Sequence, residues 1–331
     1  MKNVVITGGV GFIGHHMVEY VLKNTDANIS IIDRLDVSGN LNRLTELDIW
    51  EKNKNRVKFI WHDMRSDIRD NEILNAMLGK PDTILHIGAA SHVDRSIQDP
   101  MSFVMDNVVG TCNVLNYARG LDSIENFVYF STDEVFGPAP DGVNYKEWDR
   151  YNSGNPYAAS KAGGEELCVA FENTYKIPIK ISHCMNVFGE RQHPEKFIPS
   201  CIRKIQRGEK VIIHANKDLT RAGSRFYIHA KNVCSAVNFV LKNGKSGEKY
   251  NIVGEKEIDN LSLAKMIAKI MNKDLNYELV DFHSSRPGHD LRYALDGNKM
   301  NQMGWVLPMN LEESMQTLVD WSLKNKHWIA L

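Results

Sequence analysis

The sequence has no excess of basic residues, no cysteine pairs at metal-binding spacing and no long apolar run. It carries 40 Lys and Arg against 41 Asp and Glu, a net charge of -1. This near balance disfavours a protein that binds nucleic acid or an anionic membrane through a basic surface. The 5 cysteines are odd in number and lack CxxC spacing, which argues against a disulfide framework or structural zinc and favours a reducing compartment.

Signals for metals and for membranes are also missing. None of the 12 histidines forms an HxxxH pair, so we predict no metal ion. The apolar run at the N-terminus is too short for a signal peptide, and no segment reaches membrane-spanning length. We therefore expect a cytoplasmic protein without nucleic-acid or membrane partners.

Short apolar segments alternate with longer segments of helical spacing through the first half of the chain. They are apolar along their whole length, which is typical of strands covered on both faces in a parallel sheet. The alternation predicts an α/β fold with a Rossmann-type doubly wound parallel sheet. The predicted strands are Asn3–Thr7, Ile29–Asp33, Val57–Trp61, Thr83–Ile87 and Phe127–Ser131.

The second half of the chain has a looser pattern with shorter elements. We expect residues 1–187 to form the main domain, to which some later segments return. Residues 188–331 are expected to form mainly a smaller C-terminal substrate-binding domain. Helices are predicted there at Phe197–Arg207, Ala230–Lys242, Leu261–Met271 and Leu311–Lys324.

A glycine-rich segment, TGGVGFIG, connects the first strand to a helical pattern. Glycines at this place allow a tight turn and a close approach of the backbone to a pyrophosphate. The start of the helix directs its N–H groups at the phosphates. We therefore predict a dinucleotide site that includes Gly8, Gly11, Phe12, Ile13 and Gly14.

Acidic residues follow the second and third strands. Asp33 closes the second strand, where a carboxylate accepts hydrogen bonds from the adenosine ribose and repels a 2′-phosphate. This favours NAD over NADP, although the neighbouring Arg34 could accommodate that phosphate. Asp63 and Met64 follow the third strand and are expected beside the adenine.

Four polar residues, Ser131 to Glu134, end the fifth strand at the edge where such sheets bind ligands. Further along, Tyr157 and Lys161 lie four residues apart, on one face of a helix. We expect the Lys161 ammonium to lower the pKa of the Tyr157 phenol, so that the tyrosine can act as a base. Thr132 would hydrogen-bond the same substrate oxygen.

At these residues the chain resembles the extended short-chain dehydrogenase/reductase superfamily, essentially from end to end. Within it, the segment STDEVFG at residues 131–137 is similar to the signature of the nucleotide-sugar 4,6-dehydratases that act on dTDP-glucose or UDP-glucose. Three further segments agree with that family: His92–Ile97, Pro194–Pro199 and Arg286–Asp290.

The resemblance implies a bound NAD and the conversion of the glucosyl unit to a 4-keto-6-deoxy sugar. It assigns the C4 hydroxyl proton to Tyr157, the C5 proton to Glu134, and protonation of the departing C6 hydroxyl to Asp133. It adds cofactor contacts from Ala89, Ala90, Tyr157 and Lys161.

The resemblance also implies a set of substrate contacts and a homodimer. Lys196, Arg225 and Arg286 would neutralise the diphosphate of a nucleotide-sugar substrate. The helices Met101–Arg119 and Asn155–Tyr175 would pack side by side and form the dimer interface. The remaining substrate contacts are expected from Ser91, Thr132, Asn186, Phe197, His214, Asn251 and His289.

Other functions stay open. A nucleotide-sugar 4-epimerase of the same superfamily is disfavoured because epimerases generally lack the carboxylate pair to which Asp133 belongs. GDP-mannose 4,6-dehydratases and UDP-glucuronate decarboxylases typically have Thr-Ser-Glu at this position, so Asp133 argues against both. A non-catalytic NAD-binding sensor or scaffold would have no need of Thr132, Tyr157 and Lys161. His214 stands where many relatives have a tyrosine beside the nucleotide base, so the base of the substrate could be thymine or uracil.

Overall fold

A computed structural model of the chain describes residues 1–281 and 291–330. Its strands are β1 (Asn3–Thr7), β2 (Asn28–Asp33), β3 (Val57–Trp61), β4 (Thr83–His86), β5 (Asn126–Thr132), β6 (Ile179–Cys184), β7 (Val187–Phe188), β8 (Val211–Ala215), β9 (Ser224–Phe226), β10 (Ile228–His229), β11 (Lys249–Ile252), β12 (Glu257–Asp259) and β13 (Tyr277–Asp281). Its α-helices are α1 (Phe12–Asn24), α2 (Asn42–Thr45), α3 (Trp50–Asn53), α4 (Glu72–Leu78), α5 (Val93–Gln98), α6 (Pro100–Val104), α7 (Gly110–Ala118), α8 (Pro156–Tyr175), α9 (Phe197–Arg207), α10 (Ala230–Asn243), α11 (Asn260–Ile270), α12 (Asn298–Gln302) and α13 (Leu311–Lys324).

Seven strands form the central sheet in the order β11-β6-β5-β4-β1-β2-β3, and all of them run parallel. Strand β1 lies between β2 and β4, so the strand order reverses there. Ligands of such sheets bind at the carboxyl ends of the strands beside this reversal. The doubly wound sheet is thus confirmed, and the five predicted strands match the observed ones to within one residue at either end.

Helices cover the sheet on both faces. The side chains of β1 alternate between them: Val4 and Ile6 pack in one apolar cluster with α1 and α10, whereas Val5 packs in another with α7 and α8. Because both faces of the central strands are buried, a strand such as β1 is apolar on both sides along most of its length. This is why the sequence shows no alternation of polar and apolar residues there.

A third apolar cluster lies in the C-terminal part of the chain. Helix α9 supplies Ile198, Ile202 and Ile205, which share one helix face, and they pack with α11 and α13. Strand β11 from the same part of the chain pairs with β6 in the central sheet. The division into residues 1–187 and 188–331 stays a prediction.

The two helical segments predicted to pack side by side do so. The first consists of α6, a π-helical turn at Met105–Val109 and α7 in one continuous run. The second is α8, where the side chain of Asn155 accepts a hydrogen bond from the N–H of Ala158 and caps the helix start. The side chain of Asn107 donates to the hydroxyl of Ser160 at 2.8 Å and joins the two segments.

Candidate active site

The glycine-rich segment makes a sharp turn between β1 and α1. Gly8 has a φ of 68°, a conformation that favours glycine, and a side chain there would lie 2.6 Å from the Cα of Gly88. A side chain at Gly14 would overlap the carbonyl oxygen of Gly8. Helix α1 begins at Phe12 and is preceded by Gly11, which has no side chain to cap it. The first N–H groups of α1 are therefore available to a ligand.

Asp33 lies beside this turn at the end of β2. Its Oδ1 accepts a hydrogen bond from the N–H of Leu35 at 2.9 Å, and its Oδ2 accepts one from the N–H of Val10 at 3.4 Å. Burial raises the pKa of the carboxyl group. A carboxylate can accept about four hydrogen bonds, so Asp33 keeps acceptor capacity for further hydroxyl groups.

Arg34, the next residue, is held by carboxylates. Its guanidinium forms a bidentate pair with Asp106 at 2.6 and 2.7 Å, contacts Asp36, and lies 3.4 Å from Asp63. Hydrogen bonding to Asp106 raises the pKa of Arg34 against the opposing effect of burial. Asp106 is 8% exposed. The donors of Arg34 that could meet a 2′-phosphate are therefore engaged within the protein.

Asp63 and Met64 follow β3 and lie near the glycine turn. Burial acts to raise the pKa of Asp63, but hydrogen bonds from Arg65 and the charge of Arg34 lower it to about 2. The side chain of Met64 reaches the loop after β4, where a side chain at Gly88 would lie 2.7 Å from its methyl carbon. Both residues thus lie at the edge of the sheet where adenine was predicted.

Asn107, in the π-helical turn, organises the loop after β4 and was missed by the sequence analysis. Its Oδ1 accepts from the N–H of Ala90, and its Nδ2 donates to the Ala90 carbonyl, both at 2.9 Å. Its contact with Ser160 ties this loop to α8. Ala89 and Ala90 are half-buried and Ser91 is exposed in the same loop. No local signal marks Asn107, because its partners are 17 and 53 residues away in the chain.

Four of the predicted catalytic residues converge at the end of β5 and the start of α8. Thr132 ends β5, and Asp133 and Glu134 follow in a 3-10 turn. The Thr132 hydroxyl donates to Oδ1 of Asp133 at 3.0 Å and accepts from the N–H of Glu134 at 3.4 Å. The Tyr157 phenol lies close enough to Thr132, Asp133 and Glu134 for all three side chains to affect its pKa.

The carboxyl groups of Asp133 and Glu134 lie in a buried environment. Burial raises the pKa of Asp133, and the charge of Arg225 partly counters it. Burial and the charge of Asp133 raise the pKa of Glu134 to about 7, although Asn155 donates to its Oε2 at 3.0 Å. Within residues 1–281 and 291–330, no group hydrogen-bonds Oδ2 of Asp133. Glu134 therefore titrates near neutral pH and Asp133 holds its proton above the usual range of a carboxyl group, as suits acid–base catalysis.

The pKa of Tyr157 is raised rather than lowered, so the prediction that Lys161 lowers it is wrong. Burial, and then the charge of Glu134, raise the pKa of the Tyr157 phenol. Burial also lowers the pKa of Lys161 to about 8, and its ammonium lies 4.2 Å from the ring centre of Tyr129. The sequence argument used the helical spacing but not the low polarity of the buried site, which disfavours both charged forms.

Two of the cations predicted for the substrate lie near the carboxyl pair. The charges of Arg225 and Lys196 both lower the pKa of Glu134 against the raising effect of burial. The guanidinium of Arg225 donates to the carbonyl of Leu291 at 2.7 Å and lies 4.6 Å from the ring centre of Tyr293. Arg225 is thus held in place beside the pair by contacts from another part of the chain.

The other predicted substrate residues lie on separate elements of the fold. Asn186 is exposed just after β6, Phe197 begins α9, and His214 lies half-buried in β8. Two predicted residues lie outside the described part of the chain, Arg286 and His289.

The prediction that Asn251 contacts the substrate is wrong. Its side chain is fully buried, and its Nδ2 donates to the carbonyls of Tyr145 and Asp296 at 3.0 and 3.1 Å. Its Oδ1 faces Nδ1 of His183 at 3.0 Å. Every polar atom of this side chain is therefore used within the protein, where it joins β11 to β6.

A cluster of buried polar side chains continues from His183 and joins α8 to three strands. Glu165 and His183 are 0% exposed and Lys249 is 3% exposed. The Glu165 carboxylate accepts from Ser131 at 2.6 Å and His183 at 3.0 Å, and lies 2.9 Å from Nζ of Lys249. Because Ser131 is in β5 and Glu165 is in α8, the cluster fixes the end of that strand relative to the helix that carries Tyr157.

The described part of the chain meets neither the requirements of a metal-ligand cluster nor those of a membrane-spanning helix. No group of three or more His, Cys, Asp or Glu residues there could hold a metal ion. Across residues 1–281 and 291–330, no helix has the length and apolar character to cross a membrane.

Sequence comparison finds dehydratases across nearly the whole chain. The sequence model of the GDP-mannose 4,6 dehydratase family matches residues 5–318. The dTDP-glucose 4,6-dehydratase of Escherichia coli is 34% identical, over 98% of this chain and 94% of its own.

Solved structures share the fold. DesIV, a dTDP-glucose 4,6-dehydratase from Streptomyces venezuelae solved with NAD bound, superposes with a TM-score of 0.87 at 32% identity, over 99% of this chain and 98% of its own. A UDP-glucose 4-epimerase from Thermus thermophilus, solved with NAD, gives 0.83 at 25% identity over 96% and 98%. The epimerase thus shares the fold at lower sequence identity. The chain belongs to the nucleotide-sugar 4,6-dehydratase family of the short-chain dehydrogenase/reductase superfamily.

Proposed function

We propose that the protein is an NAD-dependent hydro-lyase that converts dTDP-glucose to its 4-keto-6-deoxy product. The observation that carries this proposal is the group of side chains at the end of β5, where Thr132 hydrogen-bonds Asp133 and the N–H of Glu134, with Tyr157 beside them. Oxidation at C4 needs a base at the hydroxyl, and elimination needs a second base at C5 and an acid at C6. The site offers a group for each task, whereas a 4-epimerase needs only the first.

The described residues fit NAD. The turn around Gly8 and Gly14 leaves room for backbone alone, and the N–H groups at the start of α1 can bind a pyrophosphate. Asp33 can accept hydrogen bonds from ribose hydroxyls, and Tyr157 and Lys161 would lie at the nicotinamide end. Held by these residues, NAD would supply the hydride chemistry of the reaction, with uptake of hydride from C4 and its return at C6.

The residues would act on a bound sugar nucleotide in sequence. Lys196 and Arg225 would neutralise its diphosphate. Tyr157 takes the proton of the C4 hydroxyl, and ionised Glu134 removes the C5 proton, which the 4-keto group acidifies. Asp133, through its unpartnered Oδ2, protonates the departing C6 hydroxyl, and Glu134 then returns its proton to C5.

Mass spectrometry of reaction mixtures tests the function. Purified protein would be incubated with NAD⁺ and, separately, with dTDP-glucose, UDP-glucose and UDP-N-acetylglucosamine. We expect dTDP-glucose to lose one water. If a UDP sugar loses water instead, the substrate carries uracil rather than thymine. Conversion to an isomer without a mass change would show a 4-epimerase. Retained NAD without turnover of any of the three would show a non-catalytic binding protein.

The rate should depend on pH through Glu134. Its pKa of about 7 means that the carboxyl is protonated, and inactive as a base, in more acidic solution. We expect kcat/KM to fall about tenfold for each pH unit below about 7. A profile of kcat/KM from about pH 5.5 to 8 measures this. A rate that stays constant through this range would remove Glu134 from the role of base.

Cofactor choice should depend on Asp106, because its carboxylate holds Arg34. In Asp106→Asn the freed guanidinium could pair with a 2′-phosphate. We expect the ratio of NADP affinity to NAD affinity to rise about tenfold, or about 1.4 kcal/mol. Calorimetric titration of cofactor-free protein measures both affinities. Asp36→Asn, which removes the exposed partner of Arg34, is the control, and an equal rise there would contradict the assignment to Asp106.

We further propose a cytoplasmic homodimer. The helical segment that includes α6 packs beside α8, and its Met101 and Val104 are 65% and 41% exposed. Apolar side chains exposed together on such helices suit an interface between two copies. All five cysteines are free thiols, which supports a reducing compartment.

A further inference from the structure

Asn155 lies directly before the helix that carries Tyr157, and its side chain makes contacts in two directions. Its Oδ1 accepts a hydrogen bond from the N–H of Ala158 at 2.8 Å, inside the first turn of α8. Its Nδ2 donates to Oε2 of Glu134 at 3.0 Å. Asn155 is 6% exposed. One buried amide group therefore joins the start of α8 to a carboxyl group that follows β5.

The chemistry of this amide determines which of its atoms faces Glu134. The N–H of Ala158 needs an acceptor, so the amide oxygen faces the helix and the amide nitrogen faces the carboxyl group. A serine at this place could accept from Ala158, but its side chain is one bond shorter. An ionised aspartate could accept as well, but it has no donor. Asparagine is therefore suited to both contacts at once.

The chain segment before Asn155 is attached to the turn after β5 by separate contacts. The N–H of Asn152 donates to the carbonyl of Val135 at 3.0 Å. The hydroxyl of Ser153 donates to the same carbonyl at 3.3 Å. Neither contact involves the side chain of Asn155, so we expect the segment to keep its path when that side chain is replaced.

We propose that Asn155 is a positioning residue that holds the ionised carboxyl group of Glu134 beside Tyr157. This inference rests on the proposed function, in which Tyr157 acts at C4 and Glu134 acts at the neighbouring C5. Two bases that act on adjacent carbons of one sugar must be held in a fixed relation to each other. Asn155 supplies this relation, because it caps the helix that carries one base and hydrogen-bonds the other. A hydrogen bond to a carboxylate is charge-assisted, so it also favours the ionised form.

The pKa of Glu134 depends on several neighbours besides Asn155. The charged and titratable groups that face it are Asp133 in the same turn, Tyr157 in α8, Arg225 in β9 and Lys196 before α9. The charge of Asp133 adds to the raising effect of burial, whereas the two cations lower the pKa. The hydrogen bond from Asn155 lowers it too. Loss of that bond alone should therefore raise the pKa of Glu134.

Two substitutions separate the positioning of Glu134 from the capping of α8. Asn155→Ser and Asn155→Asp both keep a good helix cap, but neither keeps the donor to Glu134. In Asn155→Ser we expect the midpoint of the pH profile of kcat/KM to rise by about one pH unit. The rate would then fall about tenfold at about pH 6 and less than about twofold at about pH 9. In Asn155→Asp the added carboxylate repels Glu134, so the midpoint should rise further.

Asn71 provides a matched control at another helix start. Its side chain caps α4 by accepting from the N–H of Leu74 at 2.9 Å, so Asn71→Ser should leave the pH profile unchanged. If Asn155→Ser keeps the wild-type midpoint, or loses the same factor in rate at every pH, Asn155 only caps α8 and the proposal is overturned. Absence of dehydration by the wild type at any pH would instead overturn the proposed function, and this inference with it.

Discussion

Asp133→Asn should slow water loss about 10²–10⁴-fold while a single round of C4 oxidation remains measurable. Asparagine has the shape of aspartate and keeps an oxygen that can accept from Thr132, but it has no acidic proton for the C6 hydroxyl. The reaction should therefore stop after oxidation, and reduced dinucleotide should accumulate on the protein. Rapid mixing would follow the dinucleotide absorbance, and mass spectrometry would follow the loss of water.

A second aspartate serves as the control for this experiment. Asp141 is 71% exposed and pairs with Arg221, so Asp141→Asn should leave both steps unchanged. If Asp133→Asn dehydrates the substrate at the wild-type rate, Asp133 is not the acid. If neither reduced dinucleotide nor product appears, Asp133 is needed for the first step instead.

The second large effect is expected on stability, at the buried cluster around Glu165. Glu165→Gln keeps the shape of the side chain but leaves His183 and Lys249 without their buried carboxylate. Removing one partner of a buried ion pair costs about 3–5 kcal/mol. We therefore expect the free energy of unfolding, measured by urea titration, to fall by about that amount.

The neighbouring Glu166 is exposed, and Glu166→Gln should change the free energy of unfolding by less than about 0.5 kcal/mol. Equal losses in the two variants would show that the cluster does not stabilise the fold.

Acid should reduce the difference between the wild type and Glu165→Gln. Burial alone would raise the pKa of Glu165, but His183, Lys249 and Ser131 hold it well below its usual range. A carboxyl group with a depressed pKa contributes stability above its unfolded value of about 4.3 and loses it as the pH falls further. The wild type should therefore lose its advantage over the variant progressively below that pH.

The features that sequence predicted well depend on local patterns. The strands were found because both faces of the sheet are covered, so each strand is a continuous apolar run. The glycine turn after β1 and the polar end of β5 were found because each motif lies next to a recognisable strand. Helices α9 and α13 begin and end at the predicted residues, because their apolar spacing is a local pattern, and the side chain of Asn310 caps α13 directly before its first residue.

The features that sequence missed depend on residues far apart in the chain. Asn251 lies in a strand whose neighbour, β6, decides that its side chain faces His183 rather than a ligand. The sequence left open whether Arg34 would accommodate a 2′-phosphate, because its partner Asp106 lies 72 residues later in the chain. The pKa of Tyr157 depends on how deeply the fold buries it, which the spacing of two residues on a helix does not reveal.

The π-helical turn at Met105–Val109 makes the length of this segment as important as its residues. The wider turn holds one residue more than a regular helical turn. Its consecutive residues Asp106 and Asn107 make contacts on opposite sides: Asp106 binds Arg34, and Asn107 binds the loop at Ala90. Deleting one residue would restore a regular helix and rotate one half against the other by about 100°, breaking both contacts together. Homologues that keep these contacts should align here without a gap.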